Sequence, residues 1–440
     1  MNFVISSRKA MDWINKYSTK YYVFISDKQQ IPYQEVTGYY IPTLLNCGAR
    51  SKAASFAEYL ASSQLENGSW QSYVFDTAQV IDGLSEFGEK YRRNMDSAYK
   101  WIKNSYKDGK FYDPNLGHPN IPEQFNFRVL WPLKKAGYDI SFAKKFIDRQ
   151  DLYRFESASH FYAYAFEATT RMGLDNTKFL NLIKKYDGKI ISRPNTPGEY
   201  CFTGLSQVAL SLFLCKEFDL GMKVLEFVAQ FQNKSGGFYG GTKGCQYFAG
   251  EEVSWGVKFY LDAVLEAQNL WFNNHLHLFG ERFEGADADS RFVFIKKCIK
   301  DTDKVLDAGC GKGRYINRLK CDRYACDIAE RSKYINGQFK IGSLLRLPYE
   351  NDCFDKVIIA ESLEHTIFHD NAIEEGLRVL RQGGNLLIID KDGSTKVDGL
   401  HFDEEWIDVK RLIQKYNADI EVLPNIGGGC PFFGAKITKK

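Results

Sequence analysis

The 440-residue sequence predicts a multidomain protein in which an all-α region precedes an α/β domain. Three observations support this division. A chain of this length exceeds what one hydrophobic core usually organises. Amphipathic stretches alternate with glycine-containing turns through residues 1–270, which is typical of stacked helix pairs. Beyond residue 300, short apolar runs that suit buried parallel strands end at acidic residues or glycines, so we expect a linker and lead-in helix over 271–300 and a second domain over 301–440.

Composition and charge exclude several classes of function. With 44% hydrophobic and 26% charged residues, the chain has the make-up of a soluble globular protein. A net charge of only +3 argues against a nucleic-acid partner. No run of about 18 apolar residues predicts a membrane span, and the first residues lack the apolar core of a signal peptide. The ten cysteines form no C-x-x-C pair, so we expect a reducing, cytoplasmic setting.

A helix-and-turn unit recurs in residues 1–270. In its clearest copy a helical stretch ends at Gln64, and the turn Gly68-Ser69-Trp70 follows. A weaker copy pairs Gln232 with Gly236-Gly237-Phe238, and a degenerate copy spans 98–111. At roughly 45 residues for each helix pair, the region holds about six pairs, the number that closes a toroid.

The Gln…Gly-Ser-Trp unit resembles the repeats of the squalene-cyclase and prenyltransferase α/α-toroid superfamily. The resemblance implies an α/α toroid over 1–270; a generic helical bundle or solenoid is the alternative. The Asp-x-Asp-Asp and Asp-Asp-x-x-Asp strings of the cyclases do not occur, and no Asp, Cys and His trio matches the prenyltransferase zinc site. Because the scaffold recurs in polysaccharide lyases, epimerases and hydrolases, the resemblance favours a carbohydrate cleft.

Aromatic and polar side chains predict where such a cleft lies. The segment 160–167 is predicted to be an aromatic helix, and tyrosine and tryptophan faces stack on sugar rings while histidine and glutamate bind hydroxyls. The candidate substrate residues are His160, Tyr162, Tyr164, Glu252 and Trp255. Ordinary core packing at helical spacing is the competing interpretation.

The most informative stretch in the second domain runs from Val305 to Gly313. An apolar run ends at Asp307, and a glycine-rich turn follows, so we expect a strand, a turn and then a helix over 314–319. Small residues let a nucleoside-bearing ligand approach the backbone, and a helix N-terminus offers N–H groups. The third glycine falls one position too early for the dinucleotide pattern. About 20 residues further on, Asp327 ends a second strand, where a carboxylate accepts bonds from ribose hydroxyls.

Five motifs in this region occur in the order of the class I S-adenosylmethionine-dependent methyltransferases, which they resemble over roughly residues 280–440. The motifs are 307–313, Asp327, 342–349, 354–357 and 378–384. The resemblance implies a Rossmann-like α/β domain with a mostly parallel seven-stranded sheet, a terminal hairpin over 420–423 and 432–437, and S-adenosylmethionine as cofactor. It assigns to the cofactor Asp307, Gly309, Gly311, Asp327, Ser343, Leu344 and Glu361, with Ser343 standing where the family usually has aspartate.

The loop from Glu361 to His365 faces the transferred methyl group in this family. Methyl transfer is an in-line displacement, and a hydroxyl acceptor must lose its proton. His365 is the candidate base because imidazole is partly neutral near physiological pH; a structural role is the alternative. His369 and His401 are weaker candidates. Glu361, Glu364 and His365 also resemble a magnesium site of ubiquinone O-methyltransferases, so a divalent metal is an alternative that we do not favour.

These features together predict an S-adenosylmethionine-dependent methyltransferase. The expected reaction is O-methylation of a sugar hydroxyl or sugar-linked group during the synthesis of a surface polysaccharide or glycoconjugate. The partner is then a small-molecule or glycan acceptor, and because no long lid insertion interrupts residues 301–440, we expect the toroid to form or cover the acceptor site. Three alternatives stay open: a terpenoid or lipid acceptor held in the toroid, a non-catalytic docking module, and a separate lyase or epimerase.

Overall fold

The structure is a computed structural model that describes residues 2–112, 123–248, 250–275, 289–393, 405–424 and 432–440. The chain divides into two compact units. The helical unit comprises residues 1–45 and 49–270, and the α/β unit comprises residues 46–48 and 271–440.

Helices in the described part of the helical unit alternate between two kinds of burial. One kind is buried on nearly every side over most of its length: α2 (Gln34–Asn46), α4 (Val74–Leu84), α6 (Phe127–Lys135), α8 (Ser159–Met172), α10 (Phe202–Leu214) and α12 (Ser254–Asn274). Apart from α6, which carries three basic residues, these helices have few charges.

The other kind buries mainly one face, because apolar residues recur every three or four positions, as at Met95, Ala98 and Ile102. These helices are α1 (Phe3–Lys16), α3 (Arg50–Ser62), α5 (Arg92–Asn104), α7 (Lys144–Ile147), α9 (Thr177–Lys185) and α11 (Phe218–Ala229). A two-stranded hairpin, β1 (Tyr106–Lys107) and β2 (Lys110–Phe111), follows α5.

Successive buried helices contact one another along the chain. A Cβ atom at Gly38 of α2 would come within 2.6 Å of the Gln79 carbonyl oxygen, so glycine permits close packing on α4. The Gln79 side-chain amide donates to the Arg128 carbonyl of α6 at 3.2 Å. The Arg128 guanidinium reaches Glu167 of α8 at 3.3 Å, and Gln207 of α10 donates to the same carboxylate at 2.7 Å.

The last buried helix contacts both α10 and the first buried helix. A Cβ atom at Gly256 of α12 would lie 3.2 Å from the Thr203 hydroxyl of α10. Toward α2, the Thr43 hydroxyl donates to Asp262 at 2.8 Å, and the Tyr40 hydroxyl donates to the Ser254 carbonyl.

The described part of the α/β unit contains one seven-stranded sheet in the order β5-β4-β3-β6-β7-β9-β8. Strands β3 to β7 are parallel, and β9 pairs antiparallel with both β7 and β8. The predicted mostly parallel, Rossmann-like sheet and its terminal hairpin are therefore confirmed. The strands are β3 (Lys304–Ala308), β4 (Asp322–Asp327), β5 (Gln338–Ile341), β6 (Phe354–Ala360), β7 (Leu380–Lys391), β8 (Asp419–Leu423) and β9 (Phe432–Thr438).

Helices pack beside this sheet, and one of them lies within the region 271–300, where a lead-in helix was predicted. They are α13 (Ser290–Cys298), α14 (His369–Val379) and α15 (Val409–Tyr416). The prediction of a helix over 314–319 is wrong, because only a single 3₁₀ turn forms there, at Ile316–Arg318. Strand β4 begins at Asp322, so the chain after the glycine turn is too short for a crossover helix. The connection from β4 to β5 likewise holds one 3₁₀ turn, Ser332–Tyr334.

The core of the α/β unit lies between α13 and the central strands. Phe294 and Ile295 of α13 pack in one cluster with Val305, Ile358 and Leu387, which come from β3, β6 and β7. Within the described ranges, no helix has the length and the apolar character needed to cross a bilayer.

Candidate functional site

Two carboxylates lie near the ends of neighbouring parallel strands, Asp307 in β3 and Asp327 in β4. Asp307 is 1% exposed, and its Oδ2 atom has no hydrogen-bond partner among the described residues. Burial raises the pKa of Asp307 to about 7. A cationic group placed beside this carboxyl would favour its ionised form, so the site is suited to a positively charged ligand.

The glycine turn is tied to the end of β4 by backbone N–H groups. Gly309 donates to the Cys326 carbonyl at 2.8 Å, and Gly311 donates to Oδ2 of Asp327 at 2.9 Å. Both glycines have positive φ angles, 77° and 52°, which favour glycine. Asp327 also accepts from the Ala329 amide through Oδ1 at 3.0 Å. Because a carboxylate has about four acceptor positions, Asp327 keeps capacity for a diol.

The segments after β5 and β6 approach the same turn. A Cβ atom at Gly309 would lie 2.6 Å from the Ser362 hydroxyl and 3.9 Å from the Leu344 side chain. The Ser343 hydroxyl accepts from the Leu345 amide at 3.2 Å and so shapes its own turn. Gly309, Leu344 and Ser362 therefore line one region at the carboxyl ends of the strands, where ligands bind in open α/β sheets.

Glu361, the first residue after β6, lies in a charged cluster beside the glycine turn. Its carboxylate accepts from Arg314 at 2.9 Å, Arg291 at 3.1 Å and the Tyr315 hydroxyl at 2.5 Å. Asp289 binds the same two guanidinium groups, at 3.0 Å and 2.9 Å. Glu361 also has a φ of 52°, a strained conformation for a side-chain-bearing residue. Its carboxylate thus holds the two arginines in place.

Sequence reasoning missed Asp289 and Arg291. The available signal was the Asp-x-Arg pattern directly before an apolar run, since Asp289 caps α13 by accepting from the Arg291 amide at 3.0 Å. Neither residue belongs to a motif of the glycine turn, so their approach to Glu361 required the fold.

The catalytic candidate His365 follows a buried carboxylate. Oε1 of Glu364 lies 3.6 Å from Nε2 of His365, and Oε2 lies 2.9 Å from the Lys391 ammonium. Asp390 of β7 accepts from the Glu364 amide at 3.2 Å, and burial raises the pKa of Asp390 to about 7. The histidine therefore has an acidic partner that can orient it.

The other histidines and the metal candidate are less well supported. Nε2 of His369 lies 4.0 Å from the Glu405 carboxylate, and His401 lies outside the described residues. Glu361 and Glu364 face different cationic partners. Across the part of the chain that the structure describes, no group of three or more His, Cys, Asp or Glu side chains could hold a metal ion.

In the helical unit, the structure brings together three of the five predicted substrate residues. The His160 ring lies 4.3 Å from the Tyr164 ring and 5.3 Å from the Tyr247 ring. Trp255 donates to the Tyr247 hydroxyl at 2.7 Å. His160, Tyr164 and Trp255 are thus connected through Tyr247, which sequence reasoning missed.

The other two predicted substrate residues lie elsewhere. Tyr162 packs on Phe179 of α9 at 4.8 Å, because a residue two positions from His160 points to the opposite side of a helix. Glu252 accepts from Trp13 of α1 at 2.6 Å and from Asn233 at 2.8 Å. Both side chains hold helices and turns together, so the geometry does not place them with His160.

The comparison with protein families matches residues 306–388 to the methyltransferase domain family. The matched range contains the glycine turn, Asp327, Ser343 and the His365 loop. The α/β unit contains a class I methyltransferase domain. Such a domain implies S-adenosylmethionine as its cofactor.

Two curated relatives share this domain. The methyltransferase GfsG of Streptomyces halstedii is 32% identical over 103 residues, which cover 20% of this chain and 37% of that protein. An uncharacterized methyltransferase of Schizosaccharomyces pombe is 28% identical over 114 residues, covering 21% of this chain and 41% of that protein. The chain therefore spans well under half the length of each relative.

Solved structures of methyltransferases are also similar to this chain. A SAM-dependent methyltransferase from Aquifex aeolicus is 21% identical, with a TM-score of 0.28 and coverage of 34% of this chain and 90% of that protein. The 1,6-didemethyltoxoflavin-N1-methyltransferase of Burkholderia thailandensis is 17% identical, with a TM-score of 0.29 and coverage of 35% and 79%.

The donor and acceptor groups of the methyltransferase domain fit the cofactor that it implies. S-Adenosylmethionine carries an ammonium group, a carboxylate and a ribose diol. The domain offers a buried carboxyl oxygen without a partner at Asp307, two guanidinium groups at Arg291 and Arg314, and the carboxylate of Asp327. Each ligand group thus has a chemically matched counterpart.

Proposed function

We propose that this protein transfers a methyl group from S-adenosylmethionine to a hydroxyl group of a sugar or a sugar-linked molecule. The observation that carries the transferase part is the glycine turn held by Asp327 next to the buried, unpartnered carboxyl oxygen of Asp307. A surface polysaccharide or glycoconjugate is the proposed product, and a glycan or small molecule is the proposed acceptor. The nine described cysteines carry free thiols, which favours a reducing, cytoplasmic setting.

In this proposal the cofactor-binding residues contact different parts of the cofactor. Asp327 accepts from the ribose hydroxyls, and Asp307 accepts from the ammonium group. Ser343 and Leu344 border the adenine, while Gly309 and Gly311 give the backbone room to approach.

The guanidinium groups of Arg291 and Arg314 attract the carboxylate of the methionine part, and Glu361 keeps them oriented. This changes the role first expected for Glu361 from a direct contact to a positioning residue. When bound, the cofactor supplies a methyl group on a positively charged sulfur, the electrophile of the reaction.

The proposed chemical step is a displacement at the methyl carbon. The bound cofactor would supply the methyl group to the acceptor oxygen, and the imidazole of His365 would accept the proton that the acceptor hydroxyl loses. Glu364, whose carboxylate lies 3.6 Å from that ring, stabilises the imidazolium that results. General-base assistance of this kind contributes about 100-fold or more to a rate.

We further propose that the helical unit is an α/α toroid. The ordered contacts from α2 to α12 and back to α2 support this. The repeat supports it too, since the Gln64 amide donates to Gly68 and to Asn94 of α5, both at 2.8 Å. The Gln232 amide donates in the same way to Gly236 at 3.0 Å and to Ser6 of α1 at 2.8 Å. The last pair is therefore tied to the first helix.

The test of the function is an assay of where the methyl group goes. The full chain is incubated with radiolabelled S-adenosylmethionine and an extract of its source cells, and label is partitioned between aqueous glycan, lipid and protein. We expect label in glycan or a sugar nucleotide, and strongly reduced transfer by an Asp327→Asn variant at a low concentration of methyl donor. Label in the lipid phase would instead support a terpenoid or lipid acceptor, and label only in protein would contradict both.

A matched pair of histidine variants tests the base. With the identified acceptor, His365→Gln is expected to lower kcat by about 100-fold or more while cofactor affinity stays unchanged. His369→Gln, in the next segment of the chain, serves as the control and should retain activity. Equal effects of the two substitutions would remove His365 from the mechanism.

A further inference from the structure

A group of aromatic and polar side chains lies at the amino-terminal ends of three buried helices in the helical unit. We call it the helix-end cluster; its members are Tyr33, Glu35, His160, Tyr164, Tyr247 and Trp255. Tyr33 and Glu35 stand at the start of α2, His160 is the second residue of α8 with Tyr164 one turn later, and Trp255 is the second residue of α12.

Ring contacts connect the members of the helix-end cluster. The Tyr33 ring lies 6.2 Å from the Trp255 ring, and Trp255 donates to Tyr247 at 2.7 Å. The His160 ring lies 5.3 Å from Tyr247 and 4.3 Å from Tyr164. The Tyr33 hydroxyl lies beside the Glu35 carboxyl. Residues that are far apart in the sequence thus form one connected group of rings and polar side chains.

The helix-end cluster is close to neutral at physiological pH. Burial raises the pKa of Glu35 to about 7, and burial lowers the pKa of His160 to about 3. Burial also raises the pKa values of the Tyr33, Tyr164 and Tyr247 hydroxyls well above their usual range. The imidazole and the phenols are therefore uncharged, and the carboxyl is protonated in a large fraction of molecules. Such a surface disfavours a highly charged ligand.

The neighbouring cations are engaged by carboxylates. The Arg128 guanidinium binds Asp82 and Glu167, each at 3.3 Å, and the Lys258 ammonium lies 2.7 Å from Asp262. A ligand carboxylate or phosphate would have to displace these partners. An acidic sugar is for this reason a poorer match than a neutral one.

Polar atoms at the helix-end cluster lack partners. Nδ1 of His160, which is 2% exposed, has no hydrogen bond among the described residues, and neither has the buried hydroxyl of Ser159. The same holds for the buried Thr203 hydroxyl of α10; a Cβ atom at Gly204, the next residue, would lie 3.1 Å from the His160 amide nitrogen. Buried polar atoms are almost always paired in native proteins. A bound molecule with its own hydroxyl groups would satisfy these atoms, whereas an apolar ligand would leave them unpaired.

We infer that the helix-end cluster binds a neutral, polyhydroxylated ring, such as an uncharged sugar unit. The faces of Trp255, Tyr247 and Tyr164 stack on its carbon–hydrogen faces, and Tyr33, Glu35 and His160 exchange hydrogen bonds with its hydroxyl groups. The inference deepens the proposed function, on whose sugar acceptor the choice of ligand rests. It changes the predicted substrate residues, since Tyr162 and Glu252 leave the set and Tyr33, Glu35 and Tyr247 join it.

The test measures ligand binding to the full chain without methyl donor, by saturation-transfer NMR. The probes are the methyl glycosides of neutral hexoses and deoxyhexoses, compared with methyl glucuronide and with farnesol. We expect saturation transfer to at least one neutral glycoside and none to the acidic sugar or the alcohol. Preferential binding of glucuronide or farnesol, or no binding of any neutral glycoside, would overturn the inference.

Near-isosteric variants locate the bound sugar. Tyr33→Phe and Glu35→Gln each remove one hydrogen-bonding group and are expected to weaken binding about tenfold. Tyr99→Phe is the matched control, because the Tyr99 hydroxyl donates to the Asp139 carbonyl at 2.8 Å outside the helix-end cluster. Circular dichroism confirms that each variant is folded. Wild-type affinity in both cluster variants would contradict the assignment.

The experiments can contradict the proposed methyl transfer and the proposed sugar site independently of each other. If a neutral glycoside binds and the cluster variants weaken it, while methyl label enters only lipid or protein, the inference holds and the proposed acceptor is wrong. If label enters glycan but Tyr33→Phe and Glu35→Gln bind sugar as the wild type does, the methyl transfer stands and the helix-end cluster is not the sugar site.

Discussion

The two candidate sites differ in charge. The site in the α/β unit gathers carboxylates and guanidinium groups, with Glu361 and Asp289 each facing Arg291 and Arg314. The helix-end cluster gathers phenols, an imidazole and a carboxyl whose pKa burial raises to about 7. A zwitterionic cofactor suits the first environment and an uncharged ring suits the second. The comparison teaches that buried charge by itself does not mark a ligand site, because the cations of the helical unit that lie near the helix-end cluster are paired with carboxylates.

Those charges form an ionic network among α4, α6 and α8. Arg128 bridges Asp82 and Glu167, and Lys135 binds Asp82 at 2.6 Å. Burial alone would raise the pKa of Glu167, but Arg128 and Arg171 beside it hold that pKa well below its usual range. We therefore interpret the network as structural.

The largest expected effect follows from breaking this network. Arg128→Met leaves Asp82 and Glu167 buried with fewer cations, so the free energy of unfolding should fall by about 3–5 kcal/mol. Urea unfolding followed by tryptophan fluorescence measures it, and the exposed Arg93→Met is the control. Binding of a neutral glycoside by the folded variant should be unchanged. A stable variant that has lost sugar binding would reverse the roles that we assign to the two regions.

The next effect concerns the charged site. Asp327→Asn removes a charged acceptor for the ribose hydroxyls and weakens the bond from Gly311, so S-adenosylmethionine affinity should fall by about 100-fold. Isothermal titration calorimetry gives the affinity, with Asp322→Asn at the opposite end of β4 as the control. Neutral-glycoside binding should not change in either variant. Equal cofactor affinity in both variants would remove Asp327 from the site.

A third prediction uses pH. The pKa of Glu35 is about 7 in the folded chain, against about 4.3 in an unfolded one, so the native state retains a proton that the unfolded chain releases. The resulting stabilisation is complete below about pH 4.3 and is lost as the pH rises through about 7. Two other titratable groups act on the pKa of Glu35: the Tyr33 hydroxyl and the Arg128 guanidinium, both of which lower it. Between these limits the stability of wild type should fall by about 3 kcal/mol more than that of Glu35→Gln. If the free energies of unfolding of wild type and Glu35→Gln changed in parallel with pH, Glu35 would be ionised in the native state.

The smallest effect tests the glycine turn. Gly311 has a φ of 52° with open space where a Cβ atom would stand, so Gly311→Ala should cost only about 1 kcal/mol of stability. Gly309→Ala should cost more, because its Cβ atom would lie 2.6 Å from the Ser362 hydroxyl. Thermal unfolding of the two variants provides the measurement. The opposite order would mean that the segment after β6 does not pack on the turn.

The sheet could be predicted because each of its signals is local. Asp307, the glycines and Asp327 occupy strand ends that a short window of sequence reveals. The helix over 314–319 failed because helical spacing over six residues fits a single turn equally well. The charged cluster could not be predicted, since Asp289 and Glu361 bind the same two arginines only after the sheet has formed.

In the helical unit, contacts between distant segments restrict prediction from the sequence even more. Tyr162 was included because an aromatic run does not by itself say which face is inward, although its two-residue offset from His160 and Tyr164 was a usable clue. Tyr33, Glu35 and Tyr247 gave no signal, because their meeting with His160 depends on how six buried helices are arranged.

The hydrogen bonds from Gln232 to Ser6 and from Tyr40 to Ser254 have a consequence for synthesis on the ribosome. The first two helices leave the exit tunnel long before their final partners, which are translated more than two hundred residues later. Until then the parts of α1 and α2 that contact these later segments stay uncovered, and folding through such distant contacts is slow. The nascent chain is consequently most exposed to chaperones and proteases just before α12 emerges.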